Sequence, residues 1–179
     1  MKSLKPAFLA VISFFFFASF STVALGQIED PAHWSVDLYE SAEEGKVDLV
    51  FSCKLDKGWK VYSQKVDPMN GPVPTYFDYS TPEGVAKPDV VEECEPIVEY
   101  DPNFMVDLMF FKKVGYYWAT LDLSGVSATD SIGGFYTYMV CNDEMCLPPT
   151  DVDFKIYASD IKPASDRPTY CKKKEKKPA

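Results

Sequence analysis

Along most of this chain the apolar residues recur at every second position, a period that places alternate side chains on opposite faces of a β-strand and is foreign to helices. Trp34, Val36 and Leu38 share one face of a first strand, with Ser35 and Asp37 opposite. Val47, Leu49, Phe51, Cys53 and Leu55 alternate in the same way with Lys46, Asp48, Ser52 and Lys54. Extended runs follow at 58–64 and 73–79, separated by the turn-rich Asp67-Pro68-Met69-Asn70-Gly71-Pro72. Runs at 106–111 and 116–123 predict a hairpin around Lys112-Lys113-Val114-Gly115, and runs at 134–141 and 152–157 form a last pair. Outside the first residues no stretch shows a helical period. About eight short strands with Pro/Gly turns predict an all-β fold, an antiparallel sandwich of immunoglobulin-like type, with a closed barrel as the alternative.

With 179 residues, 46% of them hydrophobic and 15% aromatic, the chain is long and apolar enough for one domain with a single core. Its start reads differently. Lys2 and Lys5 precede an apolar stretch with four consecutive phenylalanines, and Ala24-Leu25-Gly26 supplies the small residues a signal peptidase reads. The expected organisation is a signal peptide over 1–26, a β-sandwich over 27–158 and a disordered Pro/Lys-rich tail over 159–179. An uncleaved membrane anchor is the competing reading of the leader. Loss of the two leader lysines takes the formal net charge from -9 to -11, with +4 in the lysine-rich tail and -15 on the body. A body that acidic repels phosphate backbones, so no nucleic acid partner is expected. The basic tail is read as a solvated end, in preference to an anchor on an anionic membrane.

Export changes the meaning of the five cysteines, because thiols outside the cytosol tend to oxidise. Cys141 and Cys146 have four residues between them in Met139-Val140-Cys141-Asn142-Asp143-Glu144-Met145-Cys146-Leu147-Pro148-Pro149. A bridge between them spans one tight turn, and a bridge over so short a loop removes less chain entropy than one between distant strands. A short exposed disulfide of this kind suits exchange better than support, although a local staple on a hairpin has the same spacing. Met145 and Leu147 are expected to stand exposed beside the sulfurs and offer a partner protein something apolar to dock on.

Other chemistry has less support. Cys141 and Cys146 with Met139 or Met145 form a thin ligand set for a soft ion, and a structural zinc site needs about four ligands; no metal and no cofactor is expected. His33 is the single histidine, so a hydrolytic triad has no candidate base near a nucleophile. Cys53 falls on the inward face of its strand and reads as a buried, inert thiol. Cys94 lies among Glu92, Glu93 and Glu95, whose carboxylates disfavour its thiolate. A Cys53–Cys94 bridge is conceivable, and Cys171, beside the terminal lysines, is then the odd cysteine. Asp101-Pro102-Asn103-Phe104 reads locally as a turn.

The cysteine segment 139–150 resembles the N-terminal periplasmic domain of the thiol:disulfide interchange protein DsbD. Further matches are His33-Trp34-Ser35, Gly58-Trp59-Lys60-Val61-Tyr62-Ser63-Gln64, Gly71-Pro72-Val73-Pro74-Thr75 and Asp101-Pro102-Asn103-Phe104. In order, they cover about 27–158. The resemblance implies an immunoglobulin-like sandwich in the periplasm, acting as a monomeric protein-disulfide reductase component. Its expected partners are a membrane electron donor and exported thioredoxin-like or disulfide isomerase-like proteins. It further implies that Cys146 exchanges with partners and Cys141 resolves, while Phe104, in a cap loop that includes Asp101, covers the disulfide until a partner displaces it. Two departures stand out. The best-known members have five residues between the cysteines, and this chain has four. It also ends without a membrane-embedded or thioredoxin-like domain, so a stand-alone carrier is expected. A non-catalytic sandwich of the cell envelope, with the cysteine pair as a staple, is the reading from another class.

Overall fold

The computed structural model of the chain describes residues 29–92 and 94–170. The leader expected over 1–26, Cys171 and the lysine run lie outside these residues. Twelve strands follow in order: β1 (Ala32–Glu40), β2 (Val47–Leu55), β3 (Lys60–Tyr62), β4 (Tyr76–Ser80), β5 (Val91–Glu92), β6 (Ile97–Asp101), β7 (Val106–Lys112), β8 (Val114–Leu121), β9 (Ser131–Tyr138), β10 (Val140–Cys141), β11 (Thr150–Tyr157) and β12 (Ile161–Lys162). They form three open sheets, β12-β1-β2-β8-β5, β10-β3-β7-β6 and β11-β9-β4. All pairings are antiparallel except β1 with β12. This is an antiparallel sandwich of immunoglobulin-like type, not a closed barrel.

The alternation read from the sequence places the core. Leu38 from β1, Leu49, Phe51 and Cys53 from β2, and Tyr117, Ala119 and Leu121 from β8 point from the five-stranded sheet into one apolar cluster. Val61, Phe111 and Val140 reach the same cluster from the four-stranded sheet, and Phe77, Tyr136 and Ile156 from the three-stranded one. Aromatic rings join the layers: Phe51 lies 4.5 Å from Phe77 and 5.2 Å from Phe154, and Phe111 meets Tyr117 edge-on at 5.7 Å. Such tilted and edge-on pairs favour one packing arrangement beyond the area they bury. Gly134 lets β4 and β9 approach closely, since a Cβ there would lie 2.1 Å from the Asp78 carbonyl oxygen.

Three sequence expectations are corrected here. First, β7 and β8 do not pair as a hairpin. The chain turns a corner at Lys113, whose φ of 75° lies in the left-handed region, and passes from the four-stranded sheet to the five-stranded one. The Lys113 carbonyl accepts from the Leu55 amide at 2.8 Å, which ties this corner to the end of β2. Second, the run 134–141 is two strands. The chain changes sheets at Met139, so Cys141 belongs with β3 and not with β9.

Third, residues 159–170 are not a free tail. Short 3-10 turns at Ala158–Asp160 and Ala164–Asp166 flank β12, which adds in parallel to the edge of β1. Arg167 then reaches Asp48 through an ion pair and donates to the Tyr116 hydroxyl at 3.1 Å, while Tyr170 packs on Tyr116 with ring centroids 5.2 Å apart. This segment roofs the outer face of the five-stranded sheet. It explains why Asp48, outward in the alternation, is nonetheless buried, and Tyr170 packs against a second small cluster of Tyr39, Val50 and Tyr116.

Candidate functional site

Cys141 and Cys146 are joined as a disulfide, with Cα atoms 4.1 Å apart. They face each other in an antiparallel bridge. The Leu147 amide donates to the Val140 carbonyl and the Asn142 amide to the Met145 carbonyl, both at 2.9 Å. Bonds on either side make the cysteines a non-hydrogen-bonded pair, the position where facing side chains lie closest. Asn142 shapes the loop between them, its side-chain oxygen accepting from the Glu144 amide at 2.9 Å and the Met145 amide at 2.8 Å. A short polar side chain that bonds its own backbone is what a tight turn requires.

The disulfide lies outside the sandwich core. Residues of β3 alternate, so Val61 faces the core while Lys60 and Tyr62 face out. Cys141 pairs with Lys60 in register and therefore shares that outer face. There Cys141, Tyr62, Val66, Leu108 and Phe110 form a separate buried cluster, with Phe104 and Cys146 packed against it. Cys141 is fully buried and Cys146 half-buried. The Phe104 ring stands edge-on to Tyr62 at 5.9 Å and so lies over the same cluster as the two sulfurs.

A buried carboxylate holds this loop in place. Asp101, at the end of β6, is 0% exposed; it accepts from the Tyr62 hydroxyl at 2.7 Å and sits 3.1 Å from the Lys60 ammonium. Its other oxygen accepts from the Asn103 amide at 2.9 Å, and its carbonyl from the Met105 amide at 2.7 Å. Burial by itself pushes the Asp101 carboxyl up, but hydrogen bonds from Tyr62, Lys60 and Asn103 outweigh it and hold the group below the usual carboxylate range. Burial, then Asp101, raises the Tyr62 phenol, which stays protonated as a donor. The Asn103 side chain donates to the Asn142 carbonyl at 2.9 Å, tying the loop to the cysteine hairpin. Met105 takes a left-handed conformation with φ of 58°, a strained position for a residue with a side chain.

The structure thus brings together Cys141, Cys146, Phe104 and Asp101, four residues singled out in the sequence. Met145 is 48% exposed at the hairpin tip. Leu147 differs from expectation: it is half-buried and packs against the sandwich core, so the apolar surface at the tip comes from Met145, with Met105 exposed on the adjoining loop. Cys53 is a free, buried thiol that burial pushes up, and it is not bonded to Cys94. Cys94 is itself disulfide-bonded. Among the described residues no three His, Cys, Asp or Glu side chains are grouped to hold a metal ion.

The fold is shared with a solved structure. The N-terminal periplasmic domain of ScsB from Proteus mirabilis superposes with a TM-score of 0.55 at 19% identity, over 76% of this chain. The present chain spans half the length of that one. No family model matches the chain, and no curated protein matches it. The likeness establishes a common architecture.

Two residues of the site lay in a segment noted for its resemblance but were given no role there. Lys60 and Tyr62 sit at alternate positions of a three-residue strand, where a lysine ordinarily marks a solvent face. Only the return of Asp101, about forty residues on, turns that face inward. The link between Asn103 and Asn142 was equally hidden.

Proposed function

We propose that this chain is an exported thiol–disulfide exchange module that passes reducing equivalents to partner proteins through the Cys141–Cys146 pair. The observation that carries the reading is a disulfide closed across a short hairpin and grouped with a small cluster apart from the main core, against which Phe104 also packs. Its likeness in fold to a periplasmic domain and its resemblance to the DsbD N-terminal domain agree with an exported redox role.

In the reduced protein the Cys146 thiolate attacks one sulfur of the partner's disulfide. A Cys146–partner bond forms, and the partner's other sulfur leaves as thiolate and takes a proton from water. Cys141 then loses its proton and attacks Cys146. The intramolecular bridge re-forms, the bond to the partner breaks, and two electrons have passed to the partner. Cys146 is the attacking sulfur because it is the more accessible of the two. The partners are thioredoxin-like or disulfide isomerase-like exported proteins, and a membrane electron donor reduces the pair again. Phe104 shields the sulfurs until docking, and Met145 supplies an apolar contact.

Cys141→Ala should trap a mixed disulfide between Cys146 and a thioredoxin-like protein, detectable as a non-reducing gel shift. Cys146→Ala should abolish transfer. Reduction of the partner by Cys146→Ala at the wild-type rate would overturn the proposal.

A further inference from the structure

Lys60 is a charged side chain almost shut away from water. Its side chain is 4% exposed, and its ammonium lies 3.1 Å from buried Asp101, 3.6 Å from exposed Asp143 and 5.1 Å above the Phe110 ring. A buried ion pair is commonly no more stabilising than apolar side chains of the same volume, so stability is a weak reason for a lysine here. Two further facts point to the cysteines. Lys60 stands directly opposite Cys141 in the β3–β10 register, and side chains so opposed lie within a few ångströms of each other. Asp143, its second carboxylate, belongs to the loop between the two cysteines, so the ammonium is tied to the hairpin that must rearrange when the bridge opens.

The charge at this place changes during exchange. A disulfide is neutral, whereas an opened pair carries a thiolate. The surroundings of Cys141 are apolar, made by Tyr62, Leu108 and Phe110, and an anion there is poorly solvated. The other charged groups nearby are matched or acidic. On the facing strand Lys112 is engaged with Glu99 of β6 at 2.5 Å, Tyr62 donates to Asp101, and Asp143 and Glu144 in the hairpin repel a thiolate.

We propose that Lys60 is a positioning residue for exchange, its ammonium held by Asp101 and Asp143 while the bridge is closed and turning to the Cys141 sulfur as that sulfur becomes an anion in the resolving step. This rests on the assignment of Cys146 as attacker and Cys141 as resolver. When Cys141 releases its proton to water, the positive charge already in place stabilises the anion. The electron pair of Cys141 then forms the bond to Cys146, the partner's sulfur leaves with the pair from the broken bond, and Lys60 returns to its two carboxylates.

The test needs no partner. In a Cys146→Ala protein, the Cys141 thiolate is titrated by its absorbance at 240 nm, with the Cys141→Ala/Cys146→Ala protein subtracted. Lys60→Met should raise the midpoint by about one pH unit, leaving roughly tenfold less thiolate at a given lower pH. Lys60→Arg should restore the midpoint, which a purely structural role for the lysine stem does not require. Lys60→Gln keeps an N–H donor toward Asp101 without the charge, and should shift the midpoint as Lys60→Met does even if that variant folds poorly. A midpoint unmoved in Lys60→Gln would overturn the inference and leave the exchange reading standing. Failure of wild-type protein to reduce a thioredoxin-like disulfide would instead count against the exchange reading.

Discussion

Asp101 links three parts of the site: Lys60 and Tyr62 on one strand, Asn103 on the covering loop and, through Asn103, the cysteine hairpin. Its contribution has a definite sign with pH. The folded-state value is lowered, so the stabilisation is fully present above the ordinary aspartate value of about 3.9 and is lost as pH falls through the lowered folded value. Reduction of Cys141–Cys146 by a phosphine, normalised to a small disulfide, should therefore be flat from neutral pH to about 4 and accelerate below it. A rate unchanged down to the onset of global unfolding would contradict this role. The role proposed for Phe104, as a shield for the sulfurs, is simpler to test. Phe104→Ala should speed attack on the oxidised pair by a small thiol roughly tenfold, equivalent to about 1.4 kcal/mol of barrier, with little change in the far-ultraviolet circular dichroism.

At the scale of elements, the outer face of the five-stranded sheet depends on the segment after β11. Asp48 is buried and accepts from Thr120 at 2.6 Å as well as pairing with Arg167. Arg167→Met removes the charge and leaves a buried carboxylate without its ion partner, which should cost about 3 kcal/mol in urea unfolding. A loss within about 0.5 kcal/mol, the usual range for an exposed site, would show that the segment merely rests on the sheet. This element also marks the limit of the sequence reading. Alternation in β1, β2 and β11 was legible because apolar residues recur at every second position through most of each strand. Residues 159–170 have no such pattern, since they bind by one parallel edge, one arginine and one tyrosine ring. The break at Met139 was hidden because Tyr136, Tyr138 and Val140 keep the same period across a change of sheet. Of the site, the cysteines and Phe104 were legible from residue type and resemblance. The part of Lys60 in it was not, because its burial depends on a loop distant in sequence.

For the molecule as a whole, the sandwich and the site are separable. The main core takes side chains from all three sheets, whereas the disulfide belongs to a smaller cluster on the outer face of one of them. The Cys94 disulfide and the buried thiol of Cys53 are distinct from the hairpin pair. A carrier needs this separation, because its bridge must open and close many times without unfolding the domain, while a staple has no use for it. The direct measurement is the reduction potential of Cys141–Cys146, read by mass-mapped alkylation after equilibration with a thiol couple and paired with circular dichroism. The account predicts a potential above about -300 mV, the range of exchanging disulfides, and a folded spectrum in the reduced protein. A potential below that value, or a sandwich that unfolds when this bridge opens, would contradict it.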